Sequence, residues 1–266
     1  MDGLEDRILF ALNWVKSIRT PILDVFYALD RVEWKANNTE VTAADRNTES
    51  AFRKLIAEKF PNDGIIGEEF SEQNRECDEY TWTIDPIDGT RAFARGVPFF
   101  GTMLGLYSNK ADNNQEILFG LIAYHALGET IYAIKNKGCF WKAAHLADFQ
   151  QVQVSTTREL GQAALSYSGE EYFAKAQQQA FIDKLKSQVL FSRTWGDCYG
   201  YCLLARGKID IMCDPQLNKW DLVPIKIIIE EAGGQFLNFD GSATTVNSHY
   251  ALCANPALMK AVLAAQ

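Results

Sequence analysis

Two carboxylates meet at one bend of the segment Trp82-Thr83-Ile84-Asp85-Pro86-Ile87-Asp88-Gly89-Thr90. The apolar run from Tyr80 to Ile84 predicts a strand that ends at Asp85, because Pro86 has no N–H with which to continue a ladder. Asp88-Gly89-Thr90 then predicts the start of a helix. The chain must therefore fold so that a strand end, a turn and a helix N-terminus lie together.

This turn offers the ligands that a hard divalent cation prefers. Mg²⁺ takes oxygen ligands, so the two aspartates and the Ile87 carbonyl provide a site for one or two ions. The N–H groups at a helix start bind anions, and Gly89 lets the backbone approach a phosphate closely. Asp-Pro and Asp-Gly are also ordinary turn signals, and Asp88 or Thr90 could be a helix N-cap, so the segment alone supports both interpretations equally.

Two further acidic segments favour metal ligation. Gly67-Glu68-Glu69 lies upstream of Asp85, and Asp221 precedes an apolar stretch that ends at Gly233-Gly234. Each segment has a plainer alternative, a solvated strand end for the two glutamates and a helix N-cap for Asp221. In the company of the Asp85 turn, we expect these side chains to be metal ligands.

Composition and charge fit a cation-dependent site. The chain has 266 residues, 47% of them apolar, and a net charge of −8, which is typical of a globular protein and argues against a nucleic-acid-binding surface. A phosphate-bearing substrate would have to be met by a cation. The sequence shows neither a secretory signal nor a run of transmembrane length, and the 6 cysteines lack zinc-ligand spacing, which together predict a cytoplasmic protein with reduced thiols and no membrane partner.

Apolar periodicity predicts an α/β chain in two packed halves, residues 1–140 and 141–266, with a cleft between them in one compact unit. In the first half we expect a helical hairpin over residues 4–32 with Pro21 between its arms, a helix from Asp45 to Phe60 and an antiparallel meander over residues 80–140. In the second half, short strands alternate with helices near residues 172–187, 197–206 and 221–232.

Several motifs together resemble those of the inositol monophosphatase family, in the same order and at the same spacing. They are Gly67-Glu68-Glu69, Asp85-Pro86-Ile87-Asp88-Gly89-Thr90, and Trp220-Asp221 through Glu231-Ala232-Gly233-Gly234. Val41-Thr42-Ala43-Ala44-Asp45 resembles that family's Thr-Ala-x-Asp element, so the resemblance extends from about residue 35 to the C-terminus. It implies a layered α-β-α-β-α sandwich and a homodimer.

The resemblance also implies a magnesium-dependent phosphomonoesterase with two or three ions per site and a metal-activated water as nucleophile. The implied metal ligands are Glu68, Asp85, the Ile87 carbonyl, Asp88 and Asp221. Asp88, Gly89 and Thr90 would bind the phosphate group. Thr90 and Asp45 would orient the attacking water, with the assistance of Glu68.

The substrate is indicated by residues beside these motifs. Gly-Thr-Arg-Ala-Phe, at residues 89–93, looks like the form found in histidinol-phosphatases, and Lys35-Ala36 and Trp195-Gly196-Asp197-Cys198-Tyr199 point the same way. Asp197 and Asp214 occupy positions that contact the substrate in the family, and two acidic groups would suit the cationic histidinol phosphate. As alternatives, Asp197 could cap a helix and Asp214-Pro215 could be a turn.

Other functions remain open at this point. The runner-up substrate is inositol 1-phosphate, followed by a nucleotide bisphosphate or a range of sugar phosphates. An inactive family member that acts as a binding protein is the non-enzyme alternative. The three histidines, which are far apart in the sequence, are assigned no catalytic role.

Overall fold

The structure, a computed structural model, describes residues 3–28, 33–34, 40–41, 43–77, 79–109 and 115–264. Its first part contains, in chain order, α1 (Gly3–Ala28), β1 (Glu33–Trp34), β2 (Glu40–Val41), α2 (Ala43–Lys59), β3 (Gly64–Gly67), β4 (Thr81–Asp88), α3 (Thr90–Phe93), β5 (Gly101–Asn109), β6 (Gln115–Tyr124), β7 (Glu129–Ile134), β8 (Gly138–Lys142) and β9 (Gln150–Val152). The second part contains β10 (Ala164–Tyr167), α4 (Glu170–Lys175), α5 (Gln179–Gln188), β11 (Phe191–Arg193), α6 (Asp197–Ala205), β12 (Ile211–Asp214), α7 (Lys219–Glu231), β13 (Gln235–Leu237), β14 (Ala251–Ala254) and α8 (Pro256–Ala264).

Two larger sheets organise these elements. The first has seven strands in the order β3-β4-β5-β6-β7-β8-β9, and all neighbours are antiparallel except β3 and β4. The second has five strands in the order β11-β10-β12-β14-β13, with parallel pairing of β10 to both its neighbours. The predicted meander and the α/β second half are confirmed. The first sheet continues to Val152, and the division into halves at residue 140 stays a prediction.

Helices and sheets alternate in five layers. One face of the seven-stranded sheet packs against α1 and α2 in a core that includes Trp14, Phe52 and Trp82. Its other face packs against α6 and α7, which lie between the two sheets. The far face of the five-stranded sheet is covered by α4, α5 and α8. This arrangement confirms the predicted α-β-α-β-α sandwich.

Three local predictions are wrong. Residues 4–28 form one helix and not a hairpin, because apolar residues on both sides of Pro21 pack onto the core, Val15 before it and Ile22 after it, and this burial outweighs the lost helix bond. The helix predicted near residues 172–187 is split into α4 and α5, with Gln177 at φ 57° between them. β4 does not end at Asp85 but continues through Pro86 to Asp88, with a shift in register.

Helix α7 lies close against the seven-stranded sheet because two strands present glycine to it. A Cβ at Gly105 of β5 would lie 2.5 Å from Val223 Cγ1, and a Cβ at Gly120 of β6 would lie 2.5 Å from the Pro224 carbonyl oxygen. Contacts this short are strongly repulsive, so the missing side chains set the distance between helix and sheet. Within the described residues, no helix combines the length and apolar character that crossing a membrane requires.

We predict that Gly120→Ala lowers the free energy of unfolding by about 1–3 kcal/mol, the usual cost of adding a methyl group to a packed core. The nearest atom is a main-chain oxygen of α7, which cannot rotate away. Urea denaturation followed by circular dichroism measures the change. Gly161→Ala is the matched control, since its added Cβ would meet nothing within 4 Å. Equal stability of the two variants would contradict this account of the packing.

Candidate active site

A bulge in β4 brings Asp85 and Asp88 together. Asp85 pairs with Met103 of β5, pairing resumes at Asp88 with Gly101, and the register shifts between these pairs. Residues three apart in a regular strand point to opposite faces, and a bulge changes this direction. One carboxylate oxygen of each aspartate therefore lies within 4.8 Å of the other.

The bulge is fixed by a buried hydrogen-bond chain that sequence reasoning missed. Thr102 Oγ1 donates to the Pro86 carbonyl oxygen at 2.7 Å, and lies 2.8 Å from His125 Nε2. A hydroxyl has one hydrogen, so His125 must be the donor to Thr102. Burial and then the charge of Arg19 lower the pKa of His125 to about 3, which keeps the ring neutral. No signal in the sequence pairs these two residues.

Gly89 allows three segments to meet beside the bulge. Its φ is 80°, and a Cβ there would lie 2.8 Å from the Phe99 carbonyl oxygen and 3.1 Å from Asp197 Oδ2. The α3 helix starts at Thr90, as predicted, but has only 4 residues. Thr90 Oγ1 donates to the Ile87 carbonyl oxygen at 3.0 Å, which ties the helix start to the preceding bulge.

Asp221 is both a capping residue and a member of the acidic cluster. Its Oδ2 accepts the backbone N–H of Asn218, the N-cap of α7, at 2.8 Å. Asp221 also offers one ligand oxygen that lies within 4.8 Å of those of Asp85 and Asp88. The predicted N-cap role is wrong, because Asn218 is the N-cap and Asp221 is the third helical residue, whose carboxylate completes a capping box and also belongs to the acidic cluster.

Asp88 connects the β4 bulge to α6, one of the helices between the two sheets. Its Oδ2 accepts the backbone N–H of Cys198 at 2.7 Å, at the start of α6. The N-cap of α6 is Gly196, with no side-chain cap bond, so the capping alternative for Asp197 is wrong. Asp197 is instead the first helical residue, beside Gly89.

Asp214 lies at the end of β12. It takes part in the turn that Asp214-Pro215 predicts as the alternative to substrate contact. Its Oδ1 accepts the Gln216 N–H at 3.0 Å. Burial, and then the charges of Asp197 and Asp88, raise the pKa of Asp214 to about 8. As with Asp221, the turn does not exclude a role in the cavity.

These segments enclose a cavity of about 200 Å³. Its acidic lining residues are Glu68, Asp85, Asp88, Asp197, Asp214 and Asp221. Arg91 is the only basic residue among the described lining residues, and it forms an exposed ion pair with Glu171 at 3.1 Å. As far as the described residues define it, the cavity is therefore strongly acidic, with one basic group at its mouth.

Burial and mutual repulsion disfavour ionisation of these carboxyls. Burial, then the charges of Glu68, Asp88 and Asp221, raise the pKa of Asp85 well above its ordinary value. Burial, then Asp197 and Asp221, do the same for the pKa of Asp88. Burial, together with the charge of Glu68, raises the pKa of Asp221 to about 7.

The cluster fits a hard divalent cation. Asp85 Oδ1 is buried and, among the described residues, has no hydrogen-bond partner. An orphaned oxygen of this kind costs free energy unless a ligand meets it. Three converging carboxylates are the donor set that Mg²⁺ or a similar ion binds.

The structure brings together most of the predicted site residues. Gly89 and Thr90 line the cavity with the six acidic residues. Asp45 is outside the lining, but it is buried on α2 and near enough for its charge to raise the pKa of Asp85. The Ile87 side chain lies in the core, and only its carbonyl faces Thr90. Lys35-Ala36 and Thr42 lie outside the described residues.

Two lining hydroxyls were not predicted. Ser168 is buried beside Asp214, and the Tyr201 hydroxyl is buried with no hydrogen-bond partner in the part of the chain that is described. Tyr201 stands four residues after Asp197 on α6, and this helical spacing could have identified it. Ser168 directly follows the strand β10, where site residues commonly lie.

Known proteins resemble this chain in sequence and in fold. The histidinol-phosphatase of Chlorobaculum parvum is 35% identical over 231 residues, which cover 87% of this chain and 85% of that protein. The histidinol-phosphatase of Mycobacterium tuberculosis is 35% identical over 219 residues, 82% of each chain. The solved structure of an inositol monophosphatase from Zymomonas mobilis superposes with a TM-score of 0.85 at 26% identity, covering 100% of this chain and 99% of that one. The sequence profile of the inositol monophosphatase family matches residues 8–266, and this chain therefore belongs to that family.

Proposed function

We propose that this protein is a Mg²⁺-dependent phosphomonoesterase that hydrolyses histidinol phosphate to histidinol. The observation that carries the proposal is the convergence of Asp85, Asp88 and Asp221, with ligand oxygens within 4.8 Å of one another in an acidic cavity. A phosphate dianion is repelled by such a cavity unless cations neutralise it. Membership of a monophosphatase family supports the same reaction.

The residues that would hold two or three Mg²⁺ ions are Glu68, Asp85, Asp88 and Asp221, together with the Ile87 carbonyl. The chemistry that Mg²⁺ would supply is Lewis acidity, which makes water a stronger nucleophile and offsets charge on the phosphoryl oxygens. The Ile87 carbonyl accepts a hydrogen bond from Thr90, and a carbonyl oxygen has two lone pairs.

The chain's own groups would orient the reactants. The backbone at Gly89 has no side chain to keep a phosphate at a distance, and Thr90 stands at the start of α3, where peptide N–H groups attract anions. Asp88 would contact the phosphate group as well as a metal ion. Because the Thr90 hydroxyl hydrogen is donated to Ile87, its oxygen can accept a hydrogen bond from the attacking water, which Asp45 and Glu68 would also help to orient.

The substrate follows from the two remaining carboxylates. Asp197 and Asp214 line the same cavity as the metal ligands, and they would pair with the amine and imidazole of histidinol phosphate. The names of the two relatives that are 35% identical support this choice. An inositol phosphate, whose ring carries no cation, is the alternative, supported by the solved relative from Zymomonas mobilis.

The proposal includes a cytoplasmic homodimer with no nucleic-acid or membrane partner. All 6 cysteines are free thiols, which suits a reducing compartment. The net charge of −8 opposes binding to a phosphate backbone.

We predict that phosphate release depends on Mg²⁺ and that Asp85→Asn reduces its rate by more than about 100-fold. Changing a group that only orients a metal ligand usually costs about 10- to 100-fold, and loss of a ligand itself should cost more. The substitution removes a buried and repelled charge, so the protein should stay folded. Phosphate release is measured with and without EDTA. Asp183→Asn, an exposed carboxylate on α5, is the control and should retain full activity. Unchanged activity in Asp85→Asn would refute the metal assignment.

We predict that the protein without metal loses stability as the pH rises. Aspartate titrates near pH 3.9 in an unfolded chain, whereas Asp221 in the folded protein has a pKa raised to about 7. Between these values the folded state binds more protons, so its free energy of unfolding falls as pH increases. Because cations bind the ionised carboxylates, Mg²⁺ should raise the Tm more at about pH 8 than at about pH 5.5. Thermal unfolding in EDTA and in Mg²⁺ tests this, and an equal effect at both pH values would contradict it.

We predict that the enzyme prefers histidinol phosphate to inositol 1-phosphate at saturating Mg²⁺. Asp197→Ala should lower kcat/KM for histidinol phosphate by about 10- to 100-fold, the equivalent of a hydrogen bond to a charged group. The same variant should change hydrolysis of inositol 1-phosphate much less, since that substrate has no cation. Parallel steady-state assays measure both. A wild-type preference for inositol 1-phosphate would show that the alternative substrate is correct.

A further inference from the structure

Glu49 is a buried carboxylate that the proposed reaction does not use. It lies on α2, one helical turn after Asp45, and is 0% exposed. Burying a charged group is costly unless hydrogen bonds and a counter-charge compensate it, so its partners indicate what it stabilises.

The carboxylate binds the backbone directly beside Glu68. Oε2 accepts the Glu69 N–H at 2.7 Å and Oε1 accepts the Phe70 N–H at 3.2 Å. On the other side of Glu68, a Cβ at Gly67 would lie 2.5 Å from Glu49 Cδ. Only glycine at position 67 leaves room for the carboxylate, and this accounts for the first residue of the Gly67-Glu68-Glu69 motif.

Arg53 completes the contact with this loop. Its Nε donates to Glu49 Oε1 at 2.8 Å, and its guanidinium also donates to the Phe70 carbonyl at 3.3 Å and to Asn74 Oδ1 at 2.7 Å. Asn74 in turn accepts the Gly67 N–H at 2.9 Å and donates to the Gly67 carbonyl at 3.1 Å. Glu49, Arg53 and Asn74 therefore hold the loop of residues 67–74 at both ends.

Glu68 needs such an anchor because its neighbours repel it. Its side chain lines the acidic cavity, close enough to Asp85 and Asp221 for the charges to interact unfavourably. A loose loop would relieve this repulsion by moving outwards. A rigid loop keeps the carboxylate in place, so that ordering of the site occurs during folding and not during binding.

We propose that Glu49 is a positioning residue, which fixes the backbone around Glu68 so that the Glu68 carboxylate faces Asp85 and Asp221 before a metal ion binds. The inference rests on the proposed function, because it assigns Glu68 to the metal site. Glu49 itself is not among the described residues that line the cavity.

Direct metal binding tests the proposal. Glu49→Gln keeps the shape of the side chain but weakens the bonds to Arg53 and to the two N–H groups. We expect it to bind Mn²⁺ roughly 10- to 100-fold more weakly by calorimetry, the usual effect of changing a group that orients a ligand. The Mg²⁺ concentration for half-maximal activity should rise in parallel, while KM for substrate at saturating Mg²⁺ should move little. Glu58→Gln, an exposed position on the same helix, is the control and should match the wild type.

A double-mutant cycle tests the route through Glu68. In a Glu68→Gln background, Glu49→Gln should weaken Mn²⁺ binding no further, because the side chain that it positions no longer carries a charge. A full additional loss in that background would overturn the proposal, as would wild-type affinity in the single variant. If Glu49→Gln does not fold, Asn74→Ala removes the bonds to Gly67 at the edge of the loop, and unchanged affinity there would overturn it equally. Absence of both Mn²⁺ binding and phosphate release in the wild type would instead refute the proposed function.

Discussion

The mutual repulsion of buried carboxyl groups is the constraint on which the rest of the site depends. Backbone N–H groups hold several of them in place: Cys198 binds Asp88, Asn218 binds Asp221 and Gln216 binds Asp214. An N–H dipole fixes the position of a carboxylate without cancelling its charge, as a lysine or arginine would. The cavity therefore keeps the negative potential that attracts a divalent cation.

The scaffold supplies these donors because elements from both sheets end at the same place. The β4 bulge carries Asp85 and Asp88 from the first sheet, and α6 and α7 approach from the space between the sheets. Gly105 and Gly120 determine how near α7 lies, and hence where Asp221 stands relative to the bulge. The packing of the core and the geometry of the acidic cluster are thus determined by the same contacts.

The sequence allowed much of this to be predicted, since the signals were local. Periodicity identified most helices and strands, and the acidic motifs identified the side chains that line the cavity. The features that were wrongly predicted or missed depend on packing between residues far apart in the chain. Helix α1 continues through Pro21 because both of its parts are buried. The contact of Thr102 with His125 follows from the register of β5 and β6. The choice between a capping role and a place in the acidic cluster could not be made for Asp221 from sequence, because the same carboxylate accepts the Asn218 N–H and belongs to the cluster.

The hydrogen bond between Asp88 and α6 constrains which residues of this site can change in evolution. It is made by the peptide N–H of Cys198, a main-chain group. The contact that joins α6 to the β4 bulge is therefore independent of the residue type at position 197. Descendants of this chain can exchange that residue, and with it the chemical group that lines the cavity beside Gly89, while the carboxylates of the β4 bulge remain where they are.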